Sequence, residues 1–484
     1  MKKSHISSNI AKFSSFLSTI AEFPICSFLK KSGFYHKSKG IPVVGIFLEM
    51  ILCIIIGKSI FSFLTHGCHF IQDRLSKSTV YRFLENTSQN WRRLVQLFSF
   101  RAISVISPAT SEKTIRTLII DDSVFKRNRS KATEYLSRIF DHANHVYLKG
   151  YFYLLLCWSD GITTLPLDFV LVASRKDKNC YNVPEHVDTR TSAGKRQAEC
   201  RKKKPELVLD MLNRFVAAAG TGVQRATHLL CDSWFTTAPF ICSVRELGFH
   251  VVGMLKHMNN AEYKLGDRYL SIKVLLEVLK RQHKLNMKKD IVGSVIVETK
   301  VTKNAKTAHR VKLVFIRNRT QPDNILTILS TDLDLSDEEI VKLYARRWAV
   351  EEIFFAQKQH LHLSKTMAKK YASIVAHTSL VCIATILLEY QRRTSSDHRT
   401  AGELFRQTEA EIRDIPLCVA LDTLMNVFFD FIKELKNRDY IKKGKFSCVE
   451  ELAHSMISSW FKGLDSYIRD FLALTEDKLG LKRI

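Results

Sequence analysis

Short motifs that define several common enzyme classes are missing from this sequence. It has no G-x-x-x-x-G-K-[ST] phosphate loop, so ATP hydrolysis is not supported, and no G-x-S-x-G turn that would indicate acyl transfer. Its 11 cysteines include no C-x-x-C pair. This scatter argues against a zinc knuckle and against a disulfide framework, and it favours a reducing compartment.

Long apolar runs are also missing. The segment 43–64 comes nearest to one, but Glu49 and Lys58 interrupt it. Its uninterrupted part, residues 50–56, is far shorter than the ~20 residues that cross a bilayer. A buried helix pair is therefore the better interpretation. The first residues include two lysines but no apolar stretch after them, so a signal peptide is not predicted.

What the chain has in excess is positive charge. Its 484 residues contain 74 Lys and Arg against 48 Asp and Glu, which gives a net charge of +26. A field of this sign attracts polyanions. A basic protein without a nucleic-acid partner, or one that touches anionic membranes, is the rival interpretation; nucleic acid is favoured at this size and charge. The length suits roughly three domains.

Residues 1–105 are predicted to form a helical DNA-binding domain, because apolar residues recur at three- and four-residue spacing. Within it, residues 75–84 place a Ser/Thr-rich start before an amphipathic helix. That pattern resembles the second helix of a helix-turn-helix, in which Lys77 and Arg82 would face a DNA groove. An ordinary helix capped by Ser or Thr fits equally well, so both interpretations stay open.

From about residue 110 the pattern changes. Strands are predicted at 116–122, 145–158, 163–173, 227–232 and 250–255, with helices at 205–219 and 239–247. Three strands followed by alternating helix and strand resemble a ribonuclease-H-like α/β catalytic core, assigned here to 110–255. Asp122 and Asp232 end two of these strands, and sites in such sheets form at the carboxyl ends of strands.

The segment 256–335 interrupts that core. It contains three further strand-like runs, and an all-β insertion is the simplest account. The core is predicted to resume at 336–371 with a helix that carries Glu351. Residues 372–484 are again helical in pattern and form a predicted C-terminal region.

The stretch 174–206 is polar, basic and without periodicity. A solvated loop is the simple interpretation. Because the stretch directly follows the third strand of the core, we favour a loop that grips phosphates. The residues assigned to this role are Lys195, Arg196, Arg201, Lys202 and Lys203.

Four polar side chains share one face of the helix predicted around 344–358. At about 100° per residue, Tyr344, Arg347, Glu351 and Lys358 fall within one narrow arc. Glu352 lies roughly 100° further round and is better interpreted as a surface residue. An exposed helix face with Glu and Lys partners is the alternative.

Carboxylates gathered in a basic protein suggest metal ions and a phosphate substrate. Phosphodiester cleavage requires a positioned water or hydroxyl and neutralised charge on the entering and leaving oxygens. Two Mg²⁺ ions about 4 Å apart supply both, and such hard cations prefer carboxylate oxygens. Three acids suffice, since one can bridge the two ions.

The spacing Tyr-x2-Arg-x3-Glu-x6-Lys at 344–358 is similar to the signature of bacterial insertion-sequence transposases with a DDE catalytic triad. The DDS at 121–123 and the LLCDSWF at 229–235 also resemble that family, and the resemblance covers about residues 110–390. The DHANHVYLKGYF stretch at 141–152 resembles it too, and four anchors in the right order argue against chance similarity.

The resemblance implies a catalytic triad of Asp122, Asp232 and Glu351 that binds two Mg²⁺ or Mn²⁺ ions. Strand alternation does not choose between Asp121 and Asp122, because both faces of a central strand are buried. Asp122 is preferred by the resemblance alone.

The same resemblance implies cut-and-paste transposition, with metal-dependent cleavage at transposon ends followed by strand transfer to target DNA. Tyr344, Arg347 and Lys358 would contact phosphates of the transposon end. The implied partners are double-stranded DNA, as terminal inverted repeats and target, and a second copy of the chain in a homodimer. No membrane is involved, and the implied location is the bacterial cytoplasm with the nucleoid.

Some relatives stack a flipped base on an aromatic side chain of the inserted domain. Residues 256–335 contain no Trp, so Tyr263, Tyr269 or Phe315 would have to take that part in a hairpin route. Two other functions stay open: a ribonuclease-H-like nuclease without strand transfer, and a non-catalytic DNA-binding protein derived from a transposase.

Overall fold

A twelve-stranded sheet with both parallel and antiparallel pairs, covered by helices, forms the framework of the described residues. The computed structural model describes residues 15–34, 40–57, 60, 63–64, 75–142, 144–219, 226–256, 262–301, 307–318, 320–321, 324–395, 399–400 and 402–413. The strands are β1 (Thr117–Lys126), β2 (Leu136–Asp141), β3 (Val146–Ser159), β4 (Thr164–Val172), β5 (Cys180–Tyr181), β6 (His228–Cys231), β7 (His250–Met254), β8 (Glu262–Leu265), β9 (Arg268–Ser271), β10 (Ile291–Thr299), β11 (Arg310–Arg317) and β12 (Ile325–Ser330). They lie in the order β5-β2-β3-β1-β6-β7-β12-β11-β10-β8-β9, and β4 pairs with β3.

Helices cover the sheet and build the N-terminal region. They are α1 (Ser15–Ala21), α2 (Ile25–Lys31), α3 (Val43–Ile56), α4 (Lys77–Leu84), α5 (Trp91–Ile106), α6 (Ser192–Glu199), α7 (Lys204–Ala219), α8 (Ala238–Glu246), α9 (Ile272–Arg281), α10 (Asp337–Ala345), α11 (Trp348–Gln359) and α12 (Tyr371–Thr394). Residues 402–413 are also mainly helical.

The N-terminal helices begin where the sequence supplies a cap. Ser76 accepts a hydrogen bond from the backbone N–H of Thr79 and starts α4, and Asn90 does the same for Arg93 at the start of α5. Such caps satisfy N–H groups that have no partner inside the helix. Phe98 on α5 lies in an aromatic cluster with ring centroids 5.3 Å from Phe23 and 5.3 Å from Phe28.

Strand β1 is central, because β3 pairs with it antiparallel on one side and β6 pairs with it parallel on the other. Strand β7 then pairs parallel with β6. The predicted strands around Asp122 and Asp232 are confirmed, although β1 runs on to Lys126. Strand β2 was not predicted; it pairs with the first residues of β3.

The segment 256–335 differs from the all-β insertion expected for it. It includes helix α9, which Ser271 caps and which buries Ile272, Leu275, Leu276 and Leu279 on one face. Its strands also do not form a separate sheet. β12 pairs antiparallel with β7, so the segment extends the core sheet at that edge.

The stretch 174–206 is not a simple loop. Thr191 caps helix α6, and α7 begins at Lys204. A helical periodicity is hard to see in the sequence of this stretch, because α6 has only eight residues and a mostly polar composition.

Helix α12, and not the segment 43–64, is the longest apolar helix among the described residues, which corrects the expectation for 43–64. By length and composition it could cross a membrane, yet 89% of its most apolar window is buried inside the protein. A helix that is apolar on all sides and packed on all sides is a core helix. The rest of the predicted C-terminal helical region, 414–484, lies outside the described residues.

Candidate active site on β1 and at the end of β6

Alternation along β1 separates the two neighbouring aspartates. Asp121 and Ser123 are two residues apart and share one face of the strand, whereas Asp122 lies on the other. Their partners follow this division. Arg347 donates to Asp121, and Lys358 Nζ lies 2.5 Å from Ser123 Oγ. Asp122 Oδ2 instead lies 2.8 Å from Lys204 Nζ on the first residue of α7.

Arg347 links β1 to the helix that carries Glu351. Its Nη1 donates to Asp121 Oδ2 and its Nη2 donates to Glu351 Oε1, the latter at 2.8 Å. Arg347 lies at the junction of α10 and α11, where it keeps helical backbone angles. The predicted single helix is therefore broken at this point, but its face is preserved. Glu352, the neighbour set aside from the sequence, is exposed.

Asp232 joins the same end of the sheet from β6. In the parallel pairing of β1 and β6, Ile120 lies opposite Cys231, so Asp232 follows at the level of Asp121. One carboxylate oxygen of Asp232 accepts the backbone N–H of Trp234 at 2.9 Å. The parallel pairing of β1 and β6 thus places Asp121 and Asp232 side by side.

The negative charge at this edge is incompletely compensated. Burial raises the pKa of Asp121 to about 7; Arg347 opposes the rise, and the charges of Asp232 and Asp122 add to it. Burial also raises the pKa of Asp232, and the charge of Asp122 contributes in the same direction. Carboxyl groups that hold their protons for this reason gain from a nearby cation.

This donor set fits divalent metal ions. Asp121, Asp232 and Glu351 offer carboxylate oxygens, which are the ligands that Mg²⁺ and Mn²⁺ prefer. They are not a closed ligand set as placed, because within the described residues these three groups do not all lie within 4.8 Å of one another. Arg347 stands between Asp121 and Glu351 and bonds to both.

Lys204 is a site residue that the sequence analysis did not assign. Besides its contact with Asp122, its Nζ lies 3.8 Å from the centre of the Phe152 ring. Phe152 is on β3 opposite Val124 of β1. The basic run that ends at Lys204 was the available signal, but the sequence does not show which of its residues reaches Asp122.

The predicted helix face is only partly open to solvent. Tyr344 is half-buried, and Arg347 lies over its ring at 5.9 Å. Burial raises the pKa of Tyr344 to about 12. Burial also lowers the pKa of Lys358, and Lys126 nearby adds to that effect. These side chains border the acids and can position a phosphate beside them.

The basic residues of 174–206 divide into two groups. Arg196 was predicted to bind DNA, but it is only 6% exposed and forms ion pairs with Asp168 and Glu199. The prediction failed because α6 turns this arginine inward against the sheet. The remaining predicted contacts are at least partly exposed, and they are Lys195, Arg201, Lys202 and Lys203.

Some of those exposed cations already have partners. Arg201 lies 2.5 Å from Asp177, Lys202 lies 2.9 Å from Asp210, and Lys203 lies 3.8 Å from Glu206. Surface pairs of this kind are weak and can exchange for phosphate contacts. Lys77 and Arg82 on α4 are exposed as well. The helix that would precede α4 in a helix-turn-helix falls partly outside the described residues.

An exposed tryptophan stands next to the acids. Trp234 is 59% exposed, Lys256 lies over its ring at 4.9 Å, and the ring of His142 is 5.9 Å away. Among the aromatics considered for base stacking, Tyr263 and Phe315 are buried, while Tyr269 is exposed on β9. Strand β9 forms the far edge of the sheet.

Carboxylates held beside cations on a mixed sheet are the groups that metal-dependent phosphodiester cleavage uses. The comparisons with known families agree: residues 50–264 match the model described as DDE superfamily endonuclease, and residues 199–387 match the model described as Transposase DDE domain. The first match contains Asp121, Asp122 and Asp232, and the second contains Asp232 and Glu351. Together they support a DDE-superfamily transposase or endonuclease, a nuclease-type enzyme that acts on DNA. Among curated proteins no match is found.

Proposed function

We propose that this protein is a DNA transposase of an insertion sequence, which cleaves phosphodiester bonds at the ends of its element and joins the freed ends to target DNA. The observation that carries the proposal is the double contact of Arg347, which ties Asp121 on β1 to Glu351 on α11 at the edge where Asp232 emerges. The strand order β4-β3-β1-β6-β7 supports a ribonuclease-H-like core, with three antiparallel strands followed by two parallel ones.

Within this proposal the catalytic carboxylates are Asp121, Asp232 and Glu351. This departs from the expectation for Asp122, which points to Lys204 on the opposite face of β1. Asp121 lies on the same face of β1 as Ser123. Arg347 bonds to both Asp121 and Glu351. Asp122 then contributes to raising the pKa of Asp232, and its contact with Lys204 positions the start of α7.

Divalent ions bound by these carboxylates would activate the attacking water or hydroxyl and offset charge on the entering and leaving oxygens. Arg347 orients the two carboxylates that it contacts. Lys358 and Tyr344 hold the DNA backbone beside the acids, and Lys195 extends the basic surface away from them. Trp234 offers a ring on which an unpaired base can stack. Two copies of the chain act together, because both ends of the element must be cut.

The assignment of the first carboxylate is tested with two neighbouring variants, Asp121→Asn and Asp122→Asn. Nicking of DNA that carries the element's end is measured in Mg²⁺, after circular dichroism confirms folding. Asp121→Asn is expected to lose activity to background, and Asp122→Asn is expected to retain a measurable part of it. The reverse result would return the role to Asp122.

Strand transfer separates a transposase from a nuclease. Pre-cleaved element ends with free 3′-hydroxyls are supplied with a target plasmid and Mg²⁺. Joined products are expected from the wild-type chain and not from Asp232→Asn. Cleavage of intact ends without any joining would favour a nuclease. Absence of both activities on bound ends would favour a DNA-binding protein without catalysis.

A further inference from the structure

A second cluster of metal-ligating side chains lies at the other end of the parallel strands. His228, His250 and Asp332 each offer one ligand atom, and these atoms all lie within 4.8 Å of one another. His228 begins β6, while Asp232 follows the end of that strand. Four steps along a strand amount to about 13 Å, so the cluster is separate from the catalytic edge.

The register of the sheet builds this cluster. His228 lies opposite His250 in the parallel pairing of β6 and β7, and their rings stack with centroids 5.1 Å apart. On the next strand Ser330 lies opposite Val252, and the antiparallel direction brings Asp332 to the level of His250. Three neighbouring strands therefore each present one ligand in a single row.

The side chains of the row are oriented by further contacts. His228 Nε2 lies 3.0 Å from Asp332 Oδ2, and Thr227 Oγ1 lies 2.8 Å from the other ring nitrogen of His228. Asp332 Oδ1 accepts the backbone N–H of Asp334 at 3.1 Å. Contacts of this kind fix the ring orientation of metal-binding histidines and the carboxylates beside them.

One atom of the row has no partner. His250 Nδ1 is buried and makes no hydrogen bond. A buried polar nitrogen left without a partner is costly, and native proteins rarely tolerate one without a reason. A metal ion bound by this row would remove that cost if the His250 ring presents this nitrogen to it.

We propose that His228, His250 and Asp332 bind a divalent ion of the zinc type, distinct from the ions of the catalytic carboxylates. Two imidazole nitrogens and one carboxylate oxygen suit Zn²⁺, Co²⁺ or Ni²⁺ better than Mg²⁺. Ligand atoms around a tetrahedral ion lie about 3.3 Å apart for bonds of about 2.0 Å. The observed 3.0 Å between His228 Nε2 and Asp332 Oδ2 is close to this, and the ligand atom of His250 lies within 4.8 Å of both.

The ion would link strands β6 and β7 of the core to the end of the 256–335 segment. His228 and His250 belong to the parallel strands β6 and β7, while Asp332 follows β12, the last strand of the 256–335 segment. These positions are far apart in sequence, so a bond shared among them stabilises a long-range junction. Three protein ligands also leave a coordination position for water.

Metal content and spectroscopy of the full chain test the site. The protein is stripped with chelator, dialysed, and titrated with Co²⁺, whose visible absorption reports nitrogen ligands and low coordination number. The compared variants are wild type, His250→Gln, His309→Gln as a control histidine outside the row, and Asp232→Asn as a control that removes a catalytic carboxylate. Thermal unfolding with and without Zn²⁺ is recorded for each.

Wild type, His309→Gln and Asp232→Asn are expected to give the Co²⁺ band and a Zn²⁺-dependent rise in melting temperature. His250→Gln is expected to bind at least about tenfold more weakly and to lose both signals. If His250→Gln does not fold, Asp332→Asn serves instead, since it keeps the shape of the side chain. Equal binding by wild type and the row variant, or no Co²⁺ band in wild type, would overturn the proposal.

Discussion

The guanidinium of Arg347 donates a hydrogen bond to the carboxylate of Asp121, 226 positions earlier in the chain. Because the same guanidinium also bonds to Glu351, one planar group links the central strand β1 to α11, in addition to the contact between Lys358 and Ser123. A lysine carries the same charge but cannot make both bonds in this geometry.

Arg347→Lys is therefore expected to lower DNA cleavage by about 10- to 100-fold, since small misplacement of catalytic groups is costly. Urea unfolding should change little by comparison. Arg346→Lys is the matched control, because Arg346 bonds to the backbone carbonyl of Ile115 rather than to an acid. Equal losses in the two variants would show that the double contact of Arg347 has no special part in cleavage.

Glu351→Gln and Glu352→Gln test which glutamate of α11 serves the site. Glu351 accepts from Arg347, and Glu352 is exposed. Loss of a metal-binding carboxylate should reduce cleavage by on the order of 1,000-fold. Glu352→Gln should stay within about twofold of wild type, as surface substitutions usually do. Mg²⁺-dependent nicking measures both, and a comparable loss in the two would contradict the face assignment.

Lys195 and Arg196 are neighbours on α6, but Lys195 is exposed and Arg196 is buried. Lys195→Ala should weaken DNA binding and lower the salt slope of the affinity by about 1, as expected for one lost phosphate contact. Arg196→Ala should instead destabilise the fold by about 3–5 kcal/mol, because it leaves Asp168 and Glu199 short of a buried partner. Fluorescence anisotropy at several salt concentrations and urea unfolding separate the two effects. An Arg196→Ala variant with normal stability and weak DNA binding would restore its original assignment.

Asp168 gathers cations from three helices. It pairs with Arg92 on α5, Arg196 on α6 and Arg214 on α7, and it is 2% exposed. Burial alone would raise the pKa of Asp168, but the three arginines outweigh it and lower the value to about 2 from an ordinary 3.8. A carboxyl group with a lowered folded-state pKa stabilises the fold above its unfolded value and loses that contribution as the pH falls.

The free energy of unfolding of the wild type should therefore fall between pH about 4 and about 2 in part through Asp168. Asp168→Asn should destabilise the protein at neutral pH by about 3–5 kcal/mol and flatten that part of the curve. Urea unfolding across the pH range measures both. Asp210→Asn, which removes the surface partner of Lys202, should leave the curve unchanged. If the free energy of unfolding of Asp168→Asn fell between pH about 4 and about 2 as in the wild type, other carboxyl groups would be responsible for that fall.

Trp234 beside the acids and Tyr269 on β9 are both exposed, and both are candidates for a base-stacking role. Trp234→Ala should weaken binding of a DNA end with unpaired bases by about 1–3 kcal/mol per stacked base. Tyr269→Ala should have no such effect, because β9 lies at the far edge of the sheet from the acids. Binding is measured by anisotropy with frayed and fully paired ends. A larger loss for Tyr269→Ala would move the stacking site to the inserted segment.

The strands around Asp122 and Asp232 were predictable because each contains a short apolar run of the kind found in buried strands, although β1 does not end at Asp122 but continues to Lys126. The face that carries Glu351 was predictable from helical spacing, and it persists even though the helix breaks at Arg347. The choice between Asp121 and Asp122 could not be made from the residues, since alternation places them on opposite faces of β1 without showing which face the helix covers; Asp121 is our proposal.

Other features depend on long-range packing and left no local signal. Arg196 looks like its basic neighbours until α6 packs it against Asp168. The row of His228, His250 and Asp332 has no regular spacing, because the pairing of three strands creates it. Helix α9 was missed where an amphipathic stretch sits among strand-like runs.

The pairing of β7 with β12 has a measurable consequence. Three residue pairs join these strands, so the inserted segment shares a continuous hydrogen-bonded sheet with β6 and β7. We therefore expect slow exchange of backbone amide hydrogens to extend without interruption from β6 through β7 to β12.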